Sequence, residues 1–147
     1  MIFEIFPDLF LSDWDGARPE AVAANEITTV VSLIWHTNIS DVPFHQYTTD
    51  RQHIVFFIKD GEPISDSMLT YIYSIILNSL ERKHKTLLHC AACQSRSPAI
   101  AAGFLKMASK KHVSLESCLD KFKKLKPDIN PLPEIMESIK NYFGEKE

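Results

Sequence analysis

Apolar and polar residues alternate over Ile2-Phe3-Glu4-Ile5-Phe6, break at Pro7-Asp8 and resume as Leu9-Phe10-Leu11. Alternation of period two places one face of a strand inward, so two short strands joined by a turn are predicted. Arg18 to Asn25 is alanine-rich and reads as a short helix. Ile27-Thr28-Thr29-Val30-Val31-Ser32-Leu33-Ile34 is a β-branched apolar run of the kind carried by a strand buried on both faces, and it is predicted to be a central strand. Ile54-Val55-Phe56-Phe57-Ile58 repeats that character and ends in the loop residues Lys59-Asp60-Gly61-Glu62-Pro63.

From about Ser65 to Arg82 the period lengthens. Met68, Leu69, Ile72, Ile75, Ile76 and Leu80 recur three and four apart, as on one face of an amphipathic helix. Thr86-Leu87-Leu88-His89 is the next strand, and Pro98 to Ser109 is a helix with almost no polar face, hence the central buried one. Ser114 is a suitable N-cap for a helix ending near Leu125, and Pro131 to Pro133 introduces a last helix reaching about Phe143. Strands alternate with helices first and helices accumulate later. The predicted class is α/β, with a mostly parallel central sheet of four to five strands flanked by helices.

A length of 147 residues fits one folding unit, taken here as a single domain over 1–147. With 45% hydrophobic and 24% charged residues, the composition excludes a disordered or fibrous chain. The formal charge of −3 gives no long-range field for nucleic acid or anionic lipid. Three cysteines are no disulfide framework, and the opening MIFEIFPDLF lacks the marks of a secretory leader. No apolar run approaches the roughly 18–20 residues that cross a bilayer. A cytoplasmic monomer without nucleic-acid or membrane partners is expected.

The chemistry gathers in His89-Cys90-Ala91-Ala92-Cys93-Gln94-Ser95-Arg96-Ser97, between a strand and the central helix. A strand-to-helix loop lies at the carboxyl edge of a parallel sheet, where backbone N–H groups and a helix N-terminus meet an incoming anion. The same field favours the thiolate of Cys90 as a nucleophile. The planar fork of Arg96 can take two phosphoryl oxygens at once. Ala91, Ala92, Cys93, Gln94, Ser95 and Arg96 are the expected phosphate-binding residues.

This segment resembles the signature His-Cys-x5-Arg-Ser/Thr of the cysteine-dependent protein phosphatases, and its Ser95-Arg96-Ser97 ending is similar to the dual-specificity branch. Phe57-Ile58-Lys59-Asp60-Gly61 resembles that family's general-acid loop, with a long helix between it and Cys90. Ile5 to Ser12 is similar to its first hairpin, and Ile129-Asn130-Pro131 to its C-terminal segment. The resemblance implies hydrolysis of phosphomonoesters through a phosphocysteine, on a phosphorylated protein or peptide, with no cofactor and no metal. It gives Cys90 the nucleophile's role, Arg96 the phosphoryl clamp and Asp60 the general acid and then base. Ser97 donates to the departing thiolate, and His89 orients the loop and helps keep Cys90 ionised. Two positions depart from the pattern. Cys93 stands where the family usually has glycine, a residue that marks positive φ or close approach, and Leu132 where many relatives have asparagine.

Other readings stand beside this one. A cysteine at Cys90 can be a buried hydrophobe, and a loop distorted by Cys93 would leave a phosphate-binding module without turnover. Cys90-x2-Cys93 also has the spacing of a thiol oxidoreductase, a mechanism with no use for Arg96. Side chains of an anion cradle splay away from its centre, so Cys93 is expected to point away from Cys90 with no resting disulfide. Asp50, Glu62 and Asp66 rival Asp60 as the acid. Trp35 and His36 line the site's rim or serve packing, Cys118 belongs to the core, and Lys121, Lys123, Lys124 and Lys126 form a solvated face. The loop carries no lysine, which favours a phosphomonoester on protein over a polyanion. So short a chain builds a shallow site, in which phosphotyrosine is the best simple substrate.

Overall fold

The apolar runs assemble into one sheet with helices on both sides. The computed structural model describes residues 1–35, 45–109 and 113–145. Five strands, β1 (Ile2–Phe6), β2 (Leu9–Ser12), β3 (Thr29–Ile34), β4 (Gln52–Phe57) and β5 (Thr86–His89), lie in the order β1-β2-β5-β3-β4. Among the described residues only the β1–β2 pair is antiparallel. The helices are α1 (Pro19–Ala24), α2 (Asp66–Glu81), α3 (Arg96–Ser109), α4 (Leu115–Lys123) and α5 (Pro133–Tyr142).

β3 is buried along its whole length, as its composition predicts. β4 is not its equal. It is the edge strand, begins at Gln52 and is half-buried, with Phe57 49% exposed, so the expected repetition of β3's character fails. Helix α3 starts at Arg96, two residues earlier than expected. Proline is tolerated in a first helical turn, whose N–H groups have no intrahelical acceptor, so Pro98 does not mark the boundary. Arg96 and Ser97 therefore belong to the helix.

Alternation along the strands divides the interior. Leu9, Leu11, Val31, Leu33 and Leu88 face a large core closed by α2, α3, α4 and α5. Val30 and Leu87 face a smaller one with Ala17, Val22 and Ile27, against which Phe10 and Tyr47 pack. Helices α2 and α3 approach so closely that a Cβ at Gly103 would overlap the Tyr73 hydroxyl, which donates to the Ile100 carbonyl at 3.0 Å. Among the described residues no helix is long and apolar enough to cross a membrane.

Candidate active site

β5 is the middle strand, so the loop following it opens at the centre of the sheet's carboxyl edge. Cys90 is 2% exposed, and its Sγ lies 3.1 Å from the Oγ of Ser97, in the first turn of α3. Arg96 reaches back to the loop after β4, where its Nη1 donates to the Ile58 carbonyl at 3.0 Å. Its Nε is buried with no partner among the described residues. A buried guanidinium donor left unmet is costly, and an oxyanion beside Cys90 would satisfy it.

Three of the loop's carbonyls have donors. Cys90 O accepts from His89 Nδ1 at 3.3 Å, Ala91 O from the Trp14 N–H at 2.9 Å and Gln94 O from the Asn130 N–H at 2.8 Å. Across a trans peptide the carbonyl and the following N–H point in opposite directions. The N–H groups of Ala91, Ala92 and Ser95 are thereby turned away from those outer partners, and a loop of inward N–H groups is an anion cradle.

Side chains brace the same loop. Leu132 N–H donates to Ser95 Oγ at 3.0 Å, and Gln94 Nε2 to Asp128 Oδ2 at 2.9 Å. Asp128 in turn holds Lys126 at 2.7 Å, which removes Lys126, only 8% exposed, from the expected solvated face. At Leu132 the tie to the loop is made by backbone, so it survives the missing asparagine.

Cys93 takes a φ of 55°, the left-handed conformation usually left to glycine. The glycine-free loop therefore keeps a glycine-like backbone. The Cys93 side chain is fully buried and joins the large core. Burial first, then the neighbouring Cys90, pushes its thiol up to about 12. All three cysteines are free thiols. A buried thiol so reluctant to ionise is a poor attacking group, which weighs against a dithiol oxidoreductase.

Burial pushes His89 down to about 4, outweighing its bond to the Cys90 carbonyl. With its ring neutral, His89 acts on the loop through hydrogen bonds and not through a positive charge. Its Nε2 lies 2.6 Å from Ser32 Oγ on β3.

Asp60 is exposed on the turn after β4 and makes no hydrogen bond or ion pair among the described residues. Gly61 follows with φ 85°, and a Cβ there would come within 3.2 Å of Leu132 Cδ1, so this turn abuts the segment bonded to Ser95. Asp50 precedes β4 and thus lies at the sheet's opposite edge, where bonds from Thr48 and Arg51 hold its carboxyl below the usual range. Glu62 pairs with Lys59 at 3.8 Å, and Asp66 opens α2. Trp35 is 43% exposed and, with Phe57, Ile58, Lys59 and Glu62, lines a cavity of about 220 Å³ beside the Asp60 turn. His36 lies outside the described residues. Cys118 is in the core as expected.

Sequence reasoning missed Trp14, Ile58, Ser32 and Asp128. The first two act through backbone atoms and leave no residue-type signal. Ser32 is the lone hydroxyl between Val31 and Leu33 of a fully buried strand, and it could have been found by asking what satisfies it.

Residues 9–145 match the family model of the dual specificity phosphatase catalytic domain. Dual specificity protein phosphatase 18 of Rattus norvegicus is 30% identical over 146 residues, covering 95% of this chain and 65% of that protein. The chain thus spans a little under two thirds of that relative's length. Among solved structures, the human tyrosine phosphatase-like serine/threonine/tyrosine-interacting protein has a TM-score of 0.84 at 20% identity, covering 97% of this chain and 95% of that one. Human DUSP28 has a TM-score of 0.79 at 18% identity, with coverages of 97% and 94%. At such identities the two structures speak for the fold.

Proposed function

The chain belongs to the dual-specificity phosphatases, and from that membership we propose that it hydrolyses phosphomonoesters on protein through a phosphocysteine intermediate. The observation that carries this reading is one loop holding Cys90 Sγ against Ser97 Oγ beside a buried, unmet Arg96 Nε. The Cys90 thiolate attacks phosphorus, an S–P bond forms and the ester P–O bond breaks. The leaving oxygen takes its proton from Asp60. Arg96 and the inward N–H groups hold the phosphoryl oxygens as charge redistributes. Water then attacks the phosphocysteine, Asp60 as a carboxylate accepts its proton, and Ser97 donates to the departing thiolate.

A loop without lysine, formed by Ala91, Ala92, Gln94 and Ser95, supports a singly phosphorylated side chain as substrate over a polyanion. Phosphotyrosine is preferred among simple substrates for its better leaving group, and phosphoserine and phosphothreonine come next. Every group named comes from one chain, so a monomer suffices. A cytoplasmic setting belongs to the same proposal, supported by the three free thiols.

Steady-state hydrolysis of an aryl phosphate tests the reading. Cys90→Ser should lower turnover on the order of 10⁴-fold or more, as loss of an enzymic nucleophile does, while the variant still binds phosphate esters. Appreciable turnover by Cys90→Ser would overturn the mechanism.

A further inference from the structure

Behind the cradle a polar chain crosses three strands on the side of the smaller core. His89 on β5 is in register with Ser32 on β3, and their side chains meet at 2.6 Å. His53 on β4 lies two positions before Val55, the register partner of Ser32, and so shares its face. Its Nε2 is 2.8 Å from Ser32 Oγ. The inner end of the chain is the Cys90 carbonyl, 3.3 Å from His89 Nδ1.

We propose that His53, on the edge strand and outside the Cys90 loop, is a positioning residue that keeps His89 in the one tautomer able to hold the Cys90 carbonyl out of the cradle. The inference rests on the phosphatase reading for its catalytic consequence. A carbonyl oxygen only accepts, so His89 Nδ1 carries the hydrogen. Neutral His89 then has an Nε2 that only accepts, and Ser32 must give it its single hydroxyl hydrogen. Ser32 can therefore only accept from His53, whose Nε2 carries a hydrogen. Every donor in the chain points toward the reacting loop.

The reverse arrangement explains why the outer histidine matters. With hydrogen on His89 Nε2, Ser32 would donate to His53, and a bare Nδ1 lone pair would face the Cys90 carbonyl oxygen. That peptide would then turn, taking the Ala91 N–H with it. His53 opposes this by presenting a donor to Ser32. The ring is itself held by an edge contact with Tyr47 at 4.8 Å between centroids, and the Tyr47 hydroxyl donates to Ala17 O at 2.6 Å. Burial, then the nearby His45, lowers the pKa of His53, and His89 is faced in addition by Arg96. Protonation of His53 at Nδ1 would leave Nε2 donating, so the direction holds in mild acid.

The test compares His53→Phe, which keeps a ring against Tyr47 and removes the donor, with His53→Gln, whose amide can donate to Ser32. His53→Phe should lower kcat about fivefold, the factor one neutral hydrogen bond supplies, with little change in KM. It should also move the pH midpoint of Cys90 alkylation by iodoacetamide upward. His53→Gln should recover both, and Ser32→Ala combined with His53→Phe should be no worse than Ser32→Ala alone. In the wild type, nitrogen NMR should show His89 protonated at Nδ1 and His53 at Nε2. Wild-type kcat and alkylation midpoint in His53→Phe would overturn the proposal, as would equal impairment of the Phe and Gln variants or the opposite tautomers. Alkylation and tautomer readouts need no turnover, so an inactive wild type would defeat the phosphatase reading and leave this one separately judged.

Discussion

Two loops meet at the carboxyl edge, and they are held in opposite ways. In the loop after β5, the Cys90 carbonyl is taken by the adjoining His89 ring, and those of Ala91 and Gln94 by N–H groups from two distant parts of the chain. The loop after β4 exposes Asp60 and is tied at its base by the Arg96 bond to Ile58 O, with an exposed Lys59–Glu62 pair that adds little. In the proposed mechanism the anion-binding half is thus built before substrate arrives, where reorganisation during reaction would cost rate. In the same mechanism Asp60 needs only a fixed hinge, because its partner oxygen comes with the substrate. Arg96, in the helical turn that follows the first loop, joins it to the second through the bond to Ile58 O.

If this division is right, damage to the two loops should look different. Asp60→Asn should slow an aryl phosphate by roughly 10²–10⁴-fold, remove the alkaline limb of the pH–rate profile and leave the affinity for vanadate near wild type. A profile keeping that limb would move the acid to Glu62 or Asp66. Arg96→Lys should cost about 10²–10³-fold in turnover and also weaken vanadate binding, because an ammonium cannot hold the Ile58 carbonyl and an anion as a fork does. Unchanged vanadate affinity in that variant would mean that Arg96 serves the Asp60 loop alone.

Stability should register the cradle's buried histidine. His89 stays neutral in the fold down to about 4, whereas in the unfolded chain it takes a proton near 6.5. Its depressed value means that its contribution is complete above about pH 6.5 and is lost as pH falls toward 4, by roughly 3 kcal/mol in all. Urea midpoints measured across that range should fall, and His89→Gln should flatten the slope. Smallest is Cys93→Gly. Relief of the left-handed φ is worth about 1–2 kcal/mol, but the change gives up a buried sulfur and loosens the unfolded chain by about 0.4–1 kcal/mol. The net change should stay within about 1 kcal/mol, and a loss above about 2 kcal/mol would show that packing of the thiol is what holds the loop.

Much of this was legible in the residues, because period and turn chemistry are local. The amphipathic spacing from Met68 to Leu80 lies within α2, and the signature from His89 to Ser97 runs continuously from the end of β5 through one loop into the first turn of α3. Order in the sheet was not legible. Ile54 to Ile58 looks as apolar as a buried strand, yet only assembly decides that β4 lies at the edge and β5 in the middle. The hydrogen-bond chain was hidden for the same reason, since Ser32 and His89 are 57 residues apart and nothing local joins them. Cys93 was the instructive case. A cysteine at a glycine position suggested a distorted loop, and the backbone instead imposes the glycine conformation on a residue that tolerates it poorly.

The place of β5 in the sheet also governs when the site can come into being. β2 and β3 precede it in the chain but are joined in the sheet through it, Leu9 and Thr29 both pairing with Thr86. Closing that gap is the non-local, entropically slow event in assembly of the sheet. Even then the cradle lacks the Asn130 and Leu132 N–H groups that fasten Gln94 and Ser95. A chain whose segment around Asn130 and Leu132 has not yet docked therefore carries Cys90 in a loop that lacks two of its native fastenings.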